Sequence, residues 1–113
     1  MNILDDLFGV AGKCVLITGG GKGIGLAIAE GFVKAGARVY VASRDGDACR
    51  AAAESLSAFG TCIALPCNIA DAEERARLVE AFVSRETSLD VLVNNAGALW
   101  AAPFKDYPES GWD

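Results

Sequence analysis

An α/β fold built on a doubly wound parallel sheet is predicted by three observations. Short runs rich in Val, Ile and Cys alternate with longer helical patterns, giving the order β-α-β-α-β-α-β across the 113 residues. The first strand-to-helix junction is a glycine cluster. The remaining polar or glycine-bearing loops fall just past the carboxyl ends of the predicted strands, at Thr18, Ala42, Leu65 and Val93. Helical crossovers between successive strands require parallel pairing. The expected strand order is 3-2-1-4, an incomplete Rossmann-type sheet of four strands with three helices, whose ligands bind beyond the strand ends beside the switch point.

Each element has a local cause. Residues 1–12 form a lead-in, with Leu7, Phe8 and Val10 available to pack on the sheet edge. Strand one is Lys13–Thr18. The first helix spans Gly23–Ala35, with Ile24, Ala27, Ile28, Gly31, Phe32 and Ala35 as its expected buried stripe and Gly36 as its C-terminal cap. Strand two is Arg38–Ala42, and Ser43-Arg44-Asp45 is the loop after it. The second helix, Gly46–Phe59, is alanine-rich, with Gly60 as its stop. Strand three is Thr61–Leu65. Asp71 and Glu74 have the spacing of a capping box for the third helix, Ala72–Arg85. Leu78, Val79, Phe82 and Val83 supply that helix's apolar face. Strand four is Leu89–Val93. Residues 98–113 carry prolines at 103 and 108 and form a loop, with the first turn of another helix at Glu109–Asp113. No repeat or linker divides the chain, so 1–113 is a single domain.

The totals exclude several functions. The chain is 52% hydrophobic with a net charge of -5 and no basic tract, which argues against disorder and against nucleic acid as a partner. No apolar run approaches a membrane span. The acidic start lacks the basic region of a secretory signal, so a cytoplasmic location is expected. Cysteines stand at 14, 49, 62 and 67 without C-x-x-C spacing, and histidine is absent. Reduced structural thiols are expected, and a metal site of the usual Cys/His kind is not.

The stretch with chemical content is Val15 to Gly25. Apolar residues 14–17 stop at Thr18, a glycine cluster follows, and a helical pattern begins. Glycines there adopt backbone angles closed to other residues and let a phosphate approach the positive end of a helix. The rhythm is Thr18-Gly19-x-x-x-Gly23-x-Gly25, distinct from G-x-G-x-x-G. A phosphate loop of the G-x-x-x-x-G-K kind is excluded, because the position that needs its first glycine is Leu16. A plain glycine-rich turn is the bland alternative. A methyltransferase loop is disfavoured because no acidic residue directly follows strand two.

Together with Asn94-Asn95-Ala96-Gly97 after strand four, this glycine turn resembles the short-chain dehydrogenase/reductase family over about Lys13–Asp113. The resemblance implies a nicotinamide dinucleotide held by Gly19, Gly21, Lys22, Gly23, Ile24 and Gly25 at the pyrophosphate turn. It implies adenine contacts from Asn68 and Ile69, where relatives usually carry an aspartate at the first position. Asn95, Ala96 and Gly97 are assigned to the nicotinamide ribose side and to bracing the sheet. The position after strand two selects the cofactor, since a carboxylate there binds the ribose hydroxyls and repels a 2′-phosphate. Here it holds Ser43 and Arg44, with Lys22 in reach, which favours NADP(H) over NAD(H). Asp45 is the counter-signal, one position further on.

The family's chemistry is hydride transfer between a nicotinamide and a carbonyl or alcohol, using Tyr-x-x-x-Lys and a serine. A tyrosine of ordinary pKa near 10 needs the cationic neighbour to work near neutrality. Neither tyrosine fits: Tyr40 plus four is Arg44, within and after a strand, and Tyr107 plus four is Gly111. No catalytic residue is therefore assigned. The chain is expected to be the cofactor-binding, amino-terminal half of a reductase, with activity of this piece alone not expected and strand four left as an open edge. A homo-oligomer is expected only for a full-length form. Residues 97–113 resemble the 3-oxoacyl-acyl-carrier-protein reductase-like branch, of the kind linked to rhamnolipid synthesis, which implies a 3-oxoacyl thioester as substrate. A cofactor-binding remnant or an incomplete gene product is the alternative.

Overall fold

A computed structural model describes residues 9–95. Seven elements follow one another: β1 (Cys14–Thr18), α1 (Gly23–Lys34), β2 (Arg38–Ala42), α2 (Gly46–Leu56), β3 (Thr61–Ala64), α3 (Ala72–Val83) and β4 (Val91–Asn94). The strands form one sheet in the order β3-β2-β1-β4, with every pairing parallel. β1 sits between β2 and β4, with Ile17 opposite Val41 on one side and Val93 on the other. This is the Rossmann-type sheet anticipated above. Leu7, Phe8, Ala96, Gly97 and the 98–113 loop lie outside the described residues.

Alternation along the strands divides the core into two layers, because successive side chains point to opposite faces. Val15, Ile17, Val39, Val41 and Cys62 face Ala29 and Val33 of α1 and Cys49, Ala53 and Leu56 of α2, with Val10 of the lead-in joining them. Cys14, Leu16, Tyr40 and Ala42 face Leu78 and Phe82 of α3, with Cys67 and Ile69. The Tyr40 and Phe82 rings meet edge-on, 5.1 Å apart.

All four cysteines are buried free thiols. Burial pushes Cys14 and Cys62 up to about 11, so both are protonated at neutral pH and behave as small apolar residues. No helix among the described residues is long and apolar enough to cross a membrane.

Three expectations need correction. The buried stripe of α1 is Gly25, Ala29 and Val33, with Leu26, Ile28, Phe32 and Ala35 partly buried beside it. Ile24, Ala27 and Gly31 face outward. The stripe is rotated because Gly25 is pressed against the β1 exit, which turns the helix by about one residue. Gly36 does cap α1: at φ +93 it lies in the left-handed region. Its N–H bonds to Val33 O and that of Ala37 to Phe32 O, the paired bonds of a Schellman motif.

α2 ends at Leu56, short of Phe59. Ser57 donates its hydroxyl to Ala53 O at 2.7 Å, and Gly60 serves close packing instead: a Cβ there would lie 3.2 Å from Val33. On α3, Leu78 and Phe82 are buried but Val79 and Val83 are exposed. The periodicity defined a broad apolar face, of which the sheet covers only one side.

Candidate functional site

A pocket of about 400 Å³ opens at the carboxyl ends of β1 and β2 and the loop after β3. Its walls are Gly19 and Lys22 from the glycine turn, Ala42, Ser43, Arg44 and Asp45 after β2, and Cys67, Asn68, Ile69 and Ala70 after β3. Backbone bonds hold the three loops together: Gly19 N–H to Ala42 O at 2.7 Å and Cys67 N–H to Ser43 O at 2.9 Å. The pocket is thus an extension of the sheet's own parallel ladder, and its shape follows from the strand register.

The glycine turn is as tight as its spacing implied. Gly19 has φ +70, a left-handed conformation costly for any side chain. A Cβ on Gly25 would lie 2.0 Å from Gly19 O and 2.7 Å from Asn95 Nδ2. Only glycine lets the first turn of α1 approach the β1 exit this closely. The result is a backbone cradle at a helix N-terminus, suited to an anionic group.

Behind the cradle, Thr18 joins β1 to β4. Its buried hydroxyl donates to Asn94 Oδ1 at 2.9 Å and accepts the Asn95 N–H at 3.0 Å. The residue that ends strand one therefore also positions the asparagine pair 76 and 77 places along the chain. This role is not visible in sequence, where Thr18 marks the end of strand one and opens the glycine motif.

The loop after β3 is fixed by a variant of the expected capping box. Asp71 Oδ1 accepts the N–H groups of Glu73 and Glu74 at 2.9 and 3.2 Å. Glu74, however, reaches past Asp71 to the Asn68 N–H at 3.1 Å. Asn68 Oδ1 accepts the Ala70 N–H at 3.1 Å, an Asx-type turn that leaves the amide NH2 as the donor from this side chain. The helix cap and the pocket wall are one structure.

Asp45 is more than a loop residue. It is the N-cap of α2: Oδ1 accepts the Ala48 N–H at 3.1 Å, and its own N–H bonds to Ser43 Oγ at 3.2 Å. The second carboxylate oxygen pairs with Lys22 Nζ at 2.9 Å. The capping bond, followed by Lys22, holds the Asp45 carboxyl below the usual range. Arg44 is exposed and has no ion-pair partner among the described residues.

Of the residues singled out in sequence, Gly19, Lys22, Ser43, Arg44, Asn68 and Ile69 converge on the pocket. Gly25 and Asn95 meet behind it, and Gly21 packs on the first turn of α2. Gly23 opens α1, and Ile24 is 73% exposed beside it. Ala96 and Gly97 lie outside the described residues. Ala42, Cys67 and Ala70 carry no site signal in sequence. Asp45 enters there only as the counter-signal to a phosphate, although its place directly before a helix also signals a cap.

The fold and this site define a dinucleotide-fold protein, and comparison with known proteins gives the family. The family model for short chain dehydrogenase matches residues 13–113, and the chain belongs to that family. It is 45% identical over 106 residues to a Pseudomonas aeruginosa rhamnolipids biosynthesis 3-oxoacyl-[acyl-carrier-protein] reductase, covering 94% of this chain and 41% of that protein. Among solved structures, the Pseudomonas aeruginosa RhlG/NADP active-site complex superposes with a TM-score of 0.75 at 45% identity, over 79% of this chain and 36% of that one. A 3-ketoacyl-(acyl-carrier-protein) reductase from Brucella melitensis complexed with NADH does so with 0.72 at 36% identity, over 78% and 35%. The chain thus spans well under half the length of these relatives.

Proposed function

We propose that this chain is the NADP(H)-binding portion of a short-chain reductase that acts on a carbonyl, with a 3-oxoacyl thioester as the substrate class. The observation that carries the cofactor assignment is the pocket wall after β2. Ser43 and Arg44, a cation with no ion-pair partner among the described residues, stand where a carboxylate would otherwise receive the ribose hydroxyls. The Gly19–Gly25 approach supplies a cradle for the pyrophosphate, and the Asn68 amide with the buried Ile69 suits an adenine edge. Asn95, whose N–H Thr18 accepts, is assigned to the nicotinamide side, with Ala96 and Gly97 next in sequence. When bound, the dinucleotide supplies the hydride. The residues of this chain hold and orient it. The substrate class rests on the likeness to the 3-oxoacyl-[acyl-carrier-protein] reductase.

The test is fluorescence titration with NADPH and NADH. Tighter binding of NADPH is expected, and Arg44→Asp should shift preference toward NADH. Unchanged selectivity in Arg44→Asp removes Arg44 from the assignment.

A second reading, a binding module without turnover, is favoured by the placement of Tyr40. It is fully buried, and its hydroxyl donates to Glu86 on the α3 side of the sheet, remote in role from the pocket. The 113-residue chain given NADPH and an acetoacetyl thioester is expected to show no turnover. Measurable reduction would mean that these residues suffice for the chemistry.

A further inference from the structure

The two cations at the pocket are not equivalent. Arg44 is unpaired among the described residues, whereas Lys22 is already engaged by Asp45 at 2.9 Å. We propose that Asp45 is a specificity-determining residue: it competes with a 2′-phosphate for Lys22 and so limits the pocket's discrimination between phosphorylated and unphosphorylated adenosine. This inference rests on the cofactor reading above and concerns how sharply that cofactor is selected.

The geometry makes the competition one-sided. Asp45 is held in place, because its other carboxylate oxygen caps α2 through the Ala48 N–H and its backbone N–H is bonded to Ser43 Oγ. Lys22 carries its charge on a flexible four-carbon stem that is 73% exposed. Any phosphate entering between the loops therefore draws Lys22 from a carboxylate that stays in place.

The two loops are also held at fixed separation. A Cβ on Gly21 would lie 3.2 Å from the backbone of Ala48 and Cys49, so the glycine turn rests directly on the first turn of α2. Lys22 and Asp45 face each other because their loops are packed together. Asp47, the other acid in that turn, is paired with Arg50 at 3.0 Å. The local balance facing a phosphate is Lys22 and Arg44 against Asp45.

The magnitude follows from exposure. A solvent-exposed ion pair of this kind changes affinity by no more than about two- to fivefold. Asp45 thus tunes selection without abolishing it. Ser43 Oγ accepts the Asp45 N–H and still has its own proton to donate, so the same aspartate also orients the neighbouring hydroxyl.

The experiment is calorimetric titration of the 113-residue chain with adenosine 2′,5′-bisphosphate and with AMP, which differ only in carrying or lacking the 2′-phosphate. Asp45→Asn keeps the helix cap and removes the charge. It is expected to tighten binding of the bisphosphate about two- to fivefold while leaving AMP unchanged. In a Lys22→Met background the same substitution should give no gain. If Asp45→Asn unfolds the chain, Asp45→Ser, also a good cap, replaces it. An equal change for both ligands overturns the proposal, because it marks a general structural or charge effect. A gain that persists without Lys22 overturns it too, because Asp45 then acts on the phosphate directly. If the unsubstituted chain binds both ligands equally, or neither, the cofactor reading itself fails, whatever Asp45 does.

Discussion

The two faces of the sheet are built from the same alternating strands and are finished differently. On one face α1 and α2 close over Val15, Ile17, Val39 and Val41, each fully buried. On the other, α3 is the one helix among the described residues that covers the surface, joined by Cys67 and Ile69. Leu78 and Phe82 reach the sheet, but Val79, Val83 and Leu89 remain exposed, and Leu92 is half-buried. Apolar grooves beside α3 are lined by Leu16, Leu78, Val79 and Leu89.

Besides Leu78 and Phe82, polar contacts hold α3 at both ends. Glu86, just past its end, accepts the Tyr40 hydroxyl and two Arg38 N–H groups, at 2.9 Å from Nε and 2.6 Å from Nη2. Asp71 caps the other end. The closed face is held by burial across its width, and the open face by a narrower buried layer with polar anchors at the two ends of one helix.

Substitutions on each face test that contrast. The largest effect is expected for Ile17→Ala on the closed face. Removing a fully buried branched side chain destabilises by about 2–5 kcal/mol, read as a lower urea midpoint.

Next is Glu86→Gln, at about 1–2 kcal/mol, because a charged acceptor of several donors becomes a neutral one. Its pH dependence has a definite sign. Arg38, then Tyr40, hold the Glu86 carboxyl below its ordinary value of 4.5. Its stabilisation is therefore complete above that value and is lost as pH falls through the lower folded-state value. The wild-type and Glu86→Gln urea midpoints should converge in acid. Midpoints that stay equally separated down to pH 2 would remove the Glu86 anchor from the account.

Asp71→Ala is expected to cost about 1 kcal/mol through loss of the cap. Amide exchange should also loosen at Asn68, whose N–H is held by Glu74 of the same turn.

Val79→Ser should change stability by less than about 0.5 kcal/mol, as for an exposed position. A loss comparable to that of Ile17→Ala would show that the α3 face is closed in solution and that the contrast does not exist.

Most of the fold could be read in advance, because its signals are local. Arg38–Ala42 was placed to the residue, and the other strands and helices to within a few residues at each end. Apolar period, a glycine after Ala35 and an aspartate before Ala72 each act within one turn of chain. The pocket was legible in part for the same reason: Gly19, Lys22, Ser43, Arg44, Asn68 and Ile69 all lie at or just past predicted strand ends. The errors were errors of rotation and coverage. The stripe of α1 was placed about one residue off because only contact with Gly19 O decides which side of the helix faces the sheet. Val79 and Val83 belong to the apolar face the periodicity gives but stay exposed, because periodicity describes a helix's apolar width, not how much of it a neighbour covers.

The sequence alone determined the element order, the parallel sheet, the glycine turn and the family resemblance. These depend on side-chain period, on backbone angles open to glycine, and on the handedness of crossovers, all of which act over short stretches of chain. Tertiary structure decided the pairings: Thr18 with Asn94 and Asn95, Tyr40 and Arg38 with Glu86, Glu74 with Asn68, and Lys22 with Asp45. Some span more than 70 residues and others only six, but all depend on how strand register and loop packing bring side chains within hydrogen-bonding distance. No local signal carries that information, because the distance between two side chains is a property of the assembled sheet.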